Sequence, residues 1–476
     1  MNQAELVMEG ISYNGDGDRL HIAIVGSGGG AFAAAIRAVE AGARVTMIER
    51  GTLGGTCVNV GCVPSKILLR AAEMNHRQMH HPFAGVPTGA GAVDRPALLG
   101  QLQTRVEALR RDKYERILAD HDGIELTRGH ARFTGTGSVV VEQADSGTAR
   151  LSPDRILIAT GASPAVPPIP GLTDTPWWTS TDALFTDEAP QHLAVIGGSF
   201  VACEIAQAFR RLGSRVTILA RSRLLSYEAP EIGDALESAF ESEGIRVLRD
   251  TQAGRVSHDS GSFLLELEGE NIDADRLLVA TGRTPNTADL DLDRAGIETD
   301  GRGAVRIDAR LQTSVDGIYA VGDCTDMPQL VYVAAAAGTR AAVNMTGGDA
   351  MLDLSVVPSV VFTDPQIAAV GLDEAQAHAA GLETVSRRLD LEQVPRALAN
   401  FDTRGFVRLI AEAESGRLVG ARVVAHNGGE IIQSAALAIR AGMTVDGLAG
   451  ELFPYLTMVE SLKLCAQTFR KDVSQL

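Results

Sequence analysis

The sequence predicts an α/β protein with two parallel-sheet units and a separate α+β unit towards its C-terminal end. The two units are predicted because a buried strand, a glycine-rich turn and a helix follow one another from His21 and again from Leu193. The third is predicted because short strands and two helices replace this order from about Leu352. Both early units are therefore expected to be Rossmann-like and to bind dinucleotides.

The composition argues against several classes of function. The net charge of −17 disfavours binding to nucleic acid or to an anionic membrane surface, and aromatic residues are only 4% of the 476 positions. No stretch has the length of a membrane span, and the first residues lack the features of a signal peptide. We expect a cytoplasmic protein without a nucleic-acid or membrane partner.

The first unit carries a dinucleotide fingerprint of the form G-x-G-x-x-A. Gly26 permits a tight turn, Gly28 lets a pyrophosphate approach the backbone, and Ala31 allows close packing of helix and strand. Glu49 ends the next strand, where its carboxylate can accept a hydrogen bond from a ribose hydroxyl. The predicted elements are strands over 21–25 and 44–48 and a helix over 32–41.

The second unit departs from this pattern at two places. Ser199 replaces the middle glycine of the turn, which crowds the approach of a phosphate. The position equivalent to Glu49 is Ala220, and Arg221-Ser222-Arg223 follow it. Arginines without the carboxylate suit a ribose 2′-phosphate, so the sequence predicts NADPH rather than NADH.

Two cysteines with four residues between them lie after the first fingerprint. Pro64 suits the first turn of a helix, which places Cys62 at a helix N-terminus, where the pKa of a thiol is lowered. A bond between Cys57 and Cys62 would need a distorted segment, for which Gly61 and Gly54-Gly55 give the freedom. A redox or metal-handling pair is favoured over two buried structural cysteines, because reactive thiols need an electropositive, accessible setting.

His76 and His80 share a helix face at a spacing that metal ligands use. The alternative is a solvated helix end, whose histidines complement the C-terminal dipole before Pro82. The sequence favours the helix end because no third ligand is nearby. Other predicted elements are helices over 97–120, 429–441 and 457–470 and antiparallel strands over 360–362, 406–410 and 418–424.

The sequence resembles the flavoprotein disulfide reductases over nearly its whole length from about residue 20. The motif that carries the resemblance runs from Gly55 to Lys66 (GTCVNVGCVPSK), between the two nucleotide units. It implies FAD on the first fingerprint, NADPH on the second, and a homodimer whose C-terminal domain completes the partner's active site. The implied parts are a flexible leader (1–20), an FAD-binding domain (21–165 and 287–351), an NADPH-binding domain (166–286) and a dimerisation domain (352–476).

The resemblance also implies roles for single residues. Cys62 would be the thiol next to the flavin and Cys57 the exchange thiol, while Lys66 and Glu204 would pair near the flavin rather than form an ordinary surface ion pair. The residues implied for FAD are Gly26, Gly28, Ala31, Glu49, Arg50, Gly55, Thr56, Lys66, Thr160, Gly161 and Asp323. Those implied for NADPH are Gly197, Gly198, Glu204, Arg221, Ser222 and Gly282.

Within this group the chain is similar to the mercuric reductases. Reductases of organic disulfides carry a histidine base near the C-terminus, oriented by a glutamate; this chain keeps Glu460 but has Tyr455 at the position of the base. A phenol with a pKa near 10 is a poor base at neutral pH, but its oxygen can contact a thiolate–metal complex. The alternative role of Tyr455 is that of an interface residue in a core. The stretches that carry this likeness are 159–164, 323–338, 396–406 and 452–460.

The implied activity is the NADPH-dependent reduction of Hg(II), held by the thiolates of Cys57 and Cys62, to elemental mercury. Two features depart from the mercuric reductases: Trp177 stands where a tyrosine is usual, and no vicinal cysteine pair occurs up to Leu476. Either such a pair follows, or Hg(II) arrives as a complex with small thiols alone. The alternatives are a reductase of an organic disulfide, like dihydrolipoyl dehydrogenase or glutathione reductase, and a flavoprotein that binds mercury without reducing it.

Overall fold

The computed structural model of this chain describes residues 19–89, 91–143 and 147–473, so nearly all of the predicted leader lies outside the described residues. The described chain forms two compact units. The first contains the residues up to 63 together with 104–163 and 283–352. The second contains residues 64–103, 164–282 and those from 353 onwards.

The first unit is built on a parallel sheet of five strands. Ala320, Ile158, Val25 and Ile48 are paired in one row across four of its strands, so these strands end at one edge of the sheet. The carboxyl edge of a parallel sheet is where ligands bind in such folds. The strands in spatial order are Ile318–Ala320, Arg155–Ile158, His21–Val25, Arg44–Glu49 and Ile124–Arg128.

The two longest helices that lie wholly within this unit cross at a contact between glycines. They are Gly29–Glu40 and Val331–Met345. A Cβ added to Gly338 would lie 2.0 Å from the carbonyl oxygen of Gly30, and one on Gly30 would lie 2.9 Å from that of Ala334. Only glycine lets the two backbones approach this closely.

The other elements of the first unit surround this core. A three-stranded antiparallel sheet packs its Phe133 and Val141 into the same buried cluster as Val25 and Ile158 of the parallel sheet. Its strands are His130–Gly135, Ser138–Glu142 and Thr148–Leu151, and the short helices are Gly55–Asn59, Ala288–Leu290 and Leu292–Ala295. The short strands Ala162–Pro164 and Arg283–Pro285 stand where the chain passes between units.

The helix predicted over 97–120 is present but is not uniform. It runs as an α-helix over Arg95–Arg110, widens to a π-helix over Arg111–Glu115, and closes as an α-helix over Arg116–Asp120. Leu102 and Val106, four residues apart on this element, are buried. We call this continuous element the outer helix.

The second unit contains a parallel sheet of four strands that repeats the first. Its strands in spatial order are Arg246–Leu248, Arg215–Leu219, His192–Ile196 and Arg276–Val279. An antiparallel sheet of Arg255–Asp259, Ser262–Glu266 and Asn271–Ala274 packs on it. The helices of this part are Leu172–Asp174, Ser180–Phe185, Phe200–Arg211 and Pro230–Ser242.

An antiparallel sheet of five strands follows in the C-terminal part, which confirms the predicted fold class. The three strands predicted there are present, and two were not predicted, Gln366–Gly371 and Thr384–Asp390. The order is Ser359–Val361, Gln366–Gly371, Leu418–Ala425, Phe406–Glu412 and Thr384–Asp390. The helices are Glu374–Ala379, Leu391–Gln393, Pro395–Asn400, Gly428–Arg440, Val445–Gly450 and Glu460–Gln467.

The helix predicted over 457–470 is wrong at both ends. Leu456 has a left-handed backbone with φ of 59°, and the hydroxyl of Thr457 donates to the carbonyl of Pro454 at 2.8 Å. The chain therefore turns before Glu460, and the helix ends at Gln467. No helix in the described ranges combines the length and the apolar character that crossing a bilayer requires.

The glycine crossing gives a stability prediction with a matched control. Gly338→Ala should lower the free energy of unfolding by about 1–3 kcal/mol, because its Cβ would collide with backbone. Gly100→Ala, also within a helix but with open space at its Cβ, should be neutral or stabilising by up to about 1 kcal/mol. Denaturant unfolding measures both, and a Gly338→Ala protein as stable as the parent would contradict the close crossing.

Candidate active site

Cys57 and Cys62 lie on two successive helices. Cys57 is half-buried in the short helix Gly55–Asn59, and Cys62 is exposed as the first residue of the long helix that ends at Met79. A Cβ on Gly61 would lie 3.0 Å from the carbonyl oxygen of Thr56, so the break between the helices is tightly closed. The distortion predicted for this segment is present, and Cys62 has the helix N-terminus that favours a thiolate.

The first fingerprint forms an anion cradle at the carboxyl edge of the first sheet. Gly26 has φ of +111°, and a Cβ there would lie 2.3 Å from the carbonyl oxygen of Ala159. At Gly28 a Cβ would meet nothing within 4 Å. The helix that begins at Gly29 has no acidic side chain in its first turn and no side-chain cap. Its first N–H groups therefore point to where a phosphate would be held.

The carboxylate of Glu49 is oriented by two donors. Its Oε2 accepts from the hydroxyl of Ser27, and its Oε1 accepts from the N–H of Gly51, both at 2.5 Å. A carboxylate has about four lone-pair sites, so acceptor capacity remains for ribose hydroxyls. Ala31 is fully buried, as its predicted packing role requires, and Arg50 lies 3.7 Å from Asp289.

Several predicted residues line one cavity of about 400 Å³ in this unit. A second glycine turn closes it, since Gly55 has φ of +66° and its Cβ would lie 2.7 Å from the Cα of Gly28. The predicted residues on the wall are Gly26, Glu49, Arg50, Gly55, Thr56 and Thr160. Gly28, Ala31, Gly161 and Asp323 are not among the lining residues.

Asp323 lies just beyond another strand end at the same edge of the sheet. Its Oδ2 is 3.6 Å from Nε of Arg283, which also donates to the carbonyl of Ala162. Burial raises the pKa of Asp323, and the charge of Arg283 acts in the opposite direction. On the neighbouring strand end, Gly161 has φ of +67° with open space at its Cβ position.

The second fingerprint repeats the backbone geometry of the first. Gly197 has φ of +135°, and a Cβ there would lie 2.3 Å from the carbonyl oxygen of Ala280. The hydroxyl of Ser199 donates to that same carbonyl at 3.0 Å. The serine that replaces glycine is thus tied to the neighbouring strand end. Gly282, also at φ of +135°, has open space at its Cβ position, and Gly198 continues the turn.

Arg221 and Arg223 differ in what they contact. Ala220 is fully buried at the end of its strand, and Arg221 and Ser222 are exposed after it. Arg223 donates through Nη2 to the carbonyls of Ser226 and Glu228, at 3.2 and 2.6 Å. Arg223 therefore holds its own loop together, whereas Arg221 is available to a phosphate.

Lys66 and Glu204 form an ion pair within the second unit, with Nζ 2.9 Å from Oε2. The side chain of Glu204 is only 4% exposed, and its Oε1 accepts from the N–H of Phe362 at 2.9 Å. Nζ of Lys66 also lies 4.4 Å from the ring centre of Phe362. These contacts distinguish the pair from an ordinary surface ion pair, because one partner is buried and fully engaged.

Tyr455 lies in an exposed loop, and Glu460 is the first residue of the helix that follows this loop. Tyr455 is 72% exposed and Leu452 is 94% exposed. Glu460 accepts from the backbone N–H of Leu456 at 3.1 Å, so it shapes the loop that presents Tyr455. An apolar loop this exposed on one chain is typical of a surface that a partner covers.

His76 and His80 form a helix end, as the sequence favours. Their rings stack with centroids 4.5 Å apart, and Nδ1 of His80 lies 3.2 Å from the carbonyl oxygen of His76. Within the described ranges no three or more His, Cys, Asp or Glu side chains are grouped to hold a metal ion.

Two matches to known families cover most of the chain. Residues 20–338 match the pyridine nucleotide-disulphide oxidoreductases, and residues 357–466 match the dimerisation domain of that family. The chain belongs to the pyridine nucleotide-disulphide oxidoreductase family. The family resemblance predicted from the sequence is thereby confirmed, FAD and a pyridine nucleotide are its cofactors, and its dimerisation domain supports a homodimer.

Several relatives share the name mercuric reductase. The chain is 58% identical to mercuric reductase of Acidithiobacillus ferrooxidans over 98% of its own length and 86% of the relative's. It is 58% identical to that of Shigella flexneri over 97% and 83% of the two chains. It is 44% identical to that of Staphylococcus aureus over 98% and 85%.

Two solved structures have the same fold. The Cu(II) complex of the HOCl-induced flavoprotein disulfide reductase RclA from Escherichia coli matches with a TM-score of 0.85 at 30% identity, covering 95% of this chain and all of that one. LpdA from Mycobacterium tuberculosis matches with a TM-score of 0.86 at 28% identity and the same coverage.

The residues of the first unit fit FAD. The uncapped helix N-terminus suits a pyrophosphate, and the open space over Gly28 lets that group approach the backbone. The oriented carboxylate of Glu49 suits the adenosine ribose, and Asp323 offers a second acceptor at the same edge for a polyol hydroxyl.

Two residues of this site were not singled out from the sequence. Ser27 donates to Glu49 and also accepts from the N–H of Gly54 through its hydroxyl at 3.2 Å. Asn286 lines the cavity and donates to the carbonyl of Thr160 at 3.0 Å. The signal for Asn286 was its place after a proline, which marks a turn. Ser27 gave none, because any residue can stand between the fingerprint glycines.

The two arginines give a prediction for nucleotide binding. Arg221→Ala should weaken NADP+ binding about tenfold, the effect of losing one charge-assisted hydrogen bond, and leave NAD+ binding unchanged. Arg223→Ala is the comparison: its guanidinium is held by backbone carbonyls, so its loss should loosen the loop and weaken the binding of both nucleotides alike. Fluorescence titration with each nucleotide measures the dissociation constants. Equal losses for both nucleotides in Arg221→Ala would contradict this assignment.

The pKa of His76 gives a prediction for stability against pH. Burial, followed by the charge of Arg211, lowers the pKa of His76 to about 4. The unfolded chain takes up this proton near pH 6.5 and the folded chain does not, so the contribution to stability is complete above pH 6.5 and falls towards pH 4. In His76→Gln the loss of folding stability between pH 6.5 and pH 4 should be smaller than in the parent by roughly 1–3 kcal/mol. This range is below the full value for the pKa shift because the ring is partly exposed to solvent.

Denaturant unfolding at pH 7.0 and 4.5 measures this loss. His378→Gln, on the exposed face of another helix, is the control and should follow the parent protein at both values. A His76→Gln protein that loses as much stability as the parent would contradict a neutral His76.

Proposed function

We propose that this protein reduces Hg(II) to elemental mercury with NADPH as the electron donor, using FAD and the Cys57–Cys62 pair. The overall reaction is NADPH + Hg(II) → NADP+ + H+ + Hg(0), in which the hydride supplies both electrons and its proton is released. The observation that carries the choice of substrate is Tyr455, which stands where a reductase of organic disulfides would have its base.

When bound, FAD would supply the electron-transfer chemistry between the nicotinamide and the disulfide. The residues proposed to hold it are those of the cavity wall together with Gly28, Ala31, Gly161 and Asp323. Lys66 is proposed to approach its ring, where an ammonium stabilises negative charge. The buried carboxylate of Glu204 keeps that ammonium in place at 2.9 Å.

The cysteine pair has two states. As a disulfide it accepts two electrons and two protons to become a dithiol, and as two thiolates it binds Hg(II), a soft cation that prefers sulfur. Cys62 has the helix N-terminus that stabilises a thiolate, and Cys57 is half-buried on the preceding helix. Two sulfurs in one segment match the linear, two-ligand binding we propose for the ion.

Tyr455 is proposed to reach the cysteine pair of the partner subunit, with Glu460 shaping its loop. Its hydroxyl can donate to a thiolate or contact the incoming ion. We further propose that Hg(II) arrives as a complex with small thiols and exchanges onto Cys57. The nucleotide side is proposed to consist of Gly197, Gly198, Glu204, Arg221, Ser222 and Gly282.

The activity is tested by following NADPH absorbance after Hg(II) is added with excess thiol. The parent protein should oxidise one NADPH per Hg(II), whereas Cys57→Ala and Cys62→Ala should lose turnover and retain bound FAD. Cys465→Ala is the control, because burial raises the pKa of that thiol to about 12 and keeps it unreactive.

Three outcomes would contradict the proposal. Turnover by Cys57→Ala would show that the pair has another role. Rapid NADPH oxidation with lipoamide or glutathione disulfide, and none with Hg(II), would favour a reductase of organic disulfides. Binding of Hg(II) without NADPH oxidation would identify a protein that only sequesters mercury.

A further inference from the structure

Asn59 lies between the two cysteines and uses both ends of its side-chain amide. It is buried, at 7% exposure. Its Nδ2 donates to the carbonyls of Leu53 and Gly55, both at 2.8 Å, and its Oδ1 accepts from Nη1 of Arg110 at 3.2 Å. A buried amide with three hydrogen-bond partners is held in one orientation.

The carbonyls that Asn59 binds belong to the turn that closes the cofactor cavity. Gly54, between them, has φ of +95°, and its N–H donates to the carbonyl of Ser27 at 3.1 Å. Gly55 approaches the Cα of Gly28, and both Gly55 and Asn59 lie on the cavity wall. One side chain therefore joins the helix that carries Cys57 to the cofactor turn.

The outer helix contacts this segment at two points, four residues apart. Arg110 reaches Asn59, and the ring of Tyr114 would lie 3.0 Å from a Cβ on Gly54. Tyr114 also packs edge-on against Phe32, with ring centroids 4.9 Å apart at 78°. Burial, followed by the charges of Cys57 and Cys62, raises the pKa of the Tyr114 phenol. Tyr114 is therefore close enough to the two cysteines to be affected by their charge.

The π-helix lies at these contacts. It spans Arg111–Glu115 and so includes Tyr114 and follows directly on Arg110. Single turns of π-helix inside α-helices are frequent at functional sites, because the extra residue redirects the side chains around it. The outer helix is therefore irregular at the place where it meets the cysteine segment.

We propose that Asn59 and Arg110 are positioning residues that hold the Cys57 helix against the cofactor turn and thereby set the disulfide–dithiol equilibrium of Cys57 and Cys62. This proposal rests on the proposed function, which makes the two cysteines a redox pair. A disulfide needs its Cα atoms within roughly 7 Å and a defined dihedral angle, so a segment held in place favours ring closure. Without Arg110 the side-chain Oδ1 of Asn59 loses its donor and the segment becomes less rigid. The equilibrium between disulfide and dithiol then shifts towards the dithiol.

The test is the equilibrium of the cysteine pair in the FAD-loaded protein against a glutathione redox buffer. Thiols are counted by alkylation and mass spectrometry, and FAD content and the unfolding midpoint are measured on the same samples. Arg110→Ala should shift the equilibrium about tenfold towards the dithiol, or about 30 mV for a two-electron couple, with FAD retained. Arg110→Lys, which keeps one donor, should recover part of the shift.

Two further variants make the result specific. Arg105→Ala, on an exposed part of the same helix, is the matched control and should leave the couple unchanged. Asn59→Asp removes the two bonds donated to Leu53 and Gly55 and should shift the couple in the same direction as Arg110→Ala.

The outcomes separate this proposal from the proposed function, because the measurement uses no mercury. The positioning role alone would be overturned if the parent's two cysteines interconvert between disulfide and dithiol, and this equilibrium is the same in Arg110→Ala and Asn59→Asp. An equal shift in Arg105→Ala would overturn it too. A parent protein whose two cysteines never interconvert would overturn the redox pair and the positioning role together.

Discussion

The contact between a glycine and the carbonyl at the end of a neighbouring strand is the constraint on which both nucleotide units depend. At Gly26 and at Gly197 a Cβ would lie 2.3 Å from that oxygen, so the chain can turn from strand to helix only without a side chain. The turn places an uncapped helix N-terminus at the carboxyl edge of the sheet, where parallel strands end in one row. The site for an anionic dinucleotide follows from this packing.

A close contact between a glycine and a backbone carbonyl, here Gly61 and Thr56, also separates the two cysteines. A continuous helix would point Cys57 and Cys62 to different faces, and the closed break at Gly61 gives each a helix of its own. The cofactor turn at Gly54-Gly55 is the other end of this short segment, and Asn59 ties the two together. The proposed cofactor site and the proposed redox pair therefore share a single stretch of chain, which would account for the compactness of the motif from Gly55 to Lys66.

Short-range patterns could be predicted from the sequence, and long-range contacts could not. Gly26, Glu49 and the helix start at Cys62 follow from local rules of strands, turns and caps, and the structure has each of them. The bond from Arg110 to Asn59 joins residues 51 positions apart, and nothing in either local sequence indicates it. The start of the helix predicted over 457–470 was wrong because Glu460 accepts a hydrogen bond from the N–H of Leu456. This contact extends the loop, so the helix begins at Glu460, three residues later than the sequence periodicity predicts. The roles of Tyr455, Lys66 and Glu204 rest on the family resemblance, since phenol, ammonium and carboxylate groups occur in many structural settings.

Electrons from NADPH are proposed to reach the Cys57–Cys62 pair. The most direct measurement is an anaerobic titration of the FAD-loaded protein with NADPH, in which thiols reactive towards a chromogenic disulfide are counted after each addition under denaturing conditions. Two additional thiols per chain should appear with the first equivalent of NADPH, and alkylation should locate them at Cys57 and Cys62. A flavin that is reduced while the thiol count stays constant would contradict electron transfer to this pair.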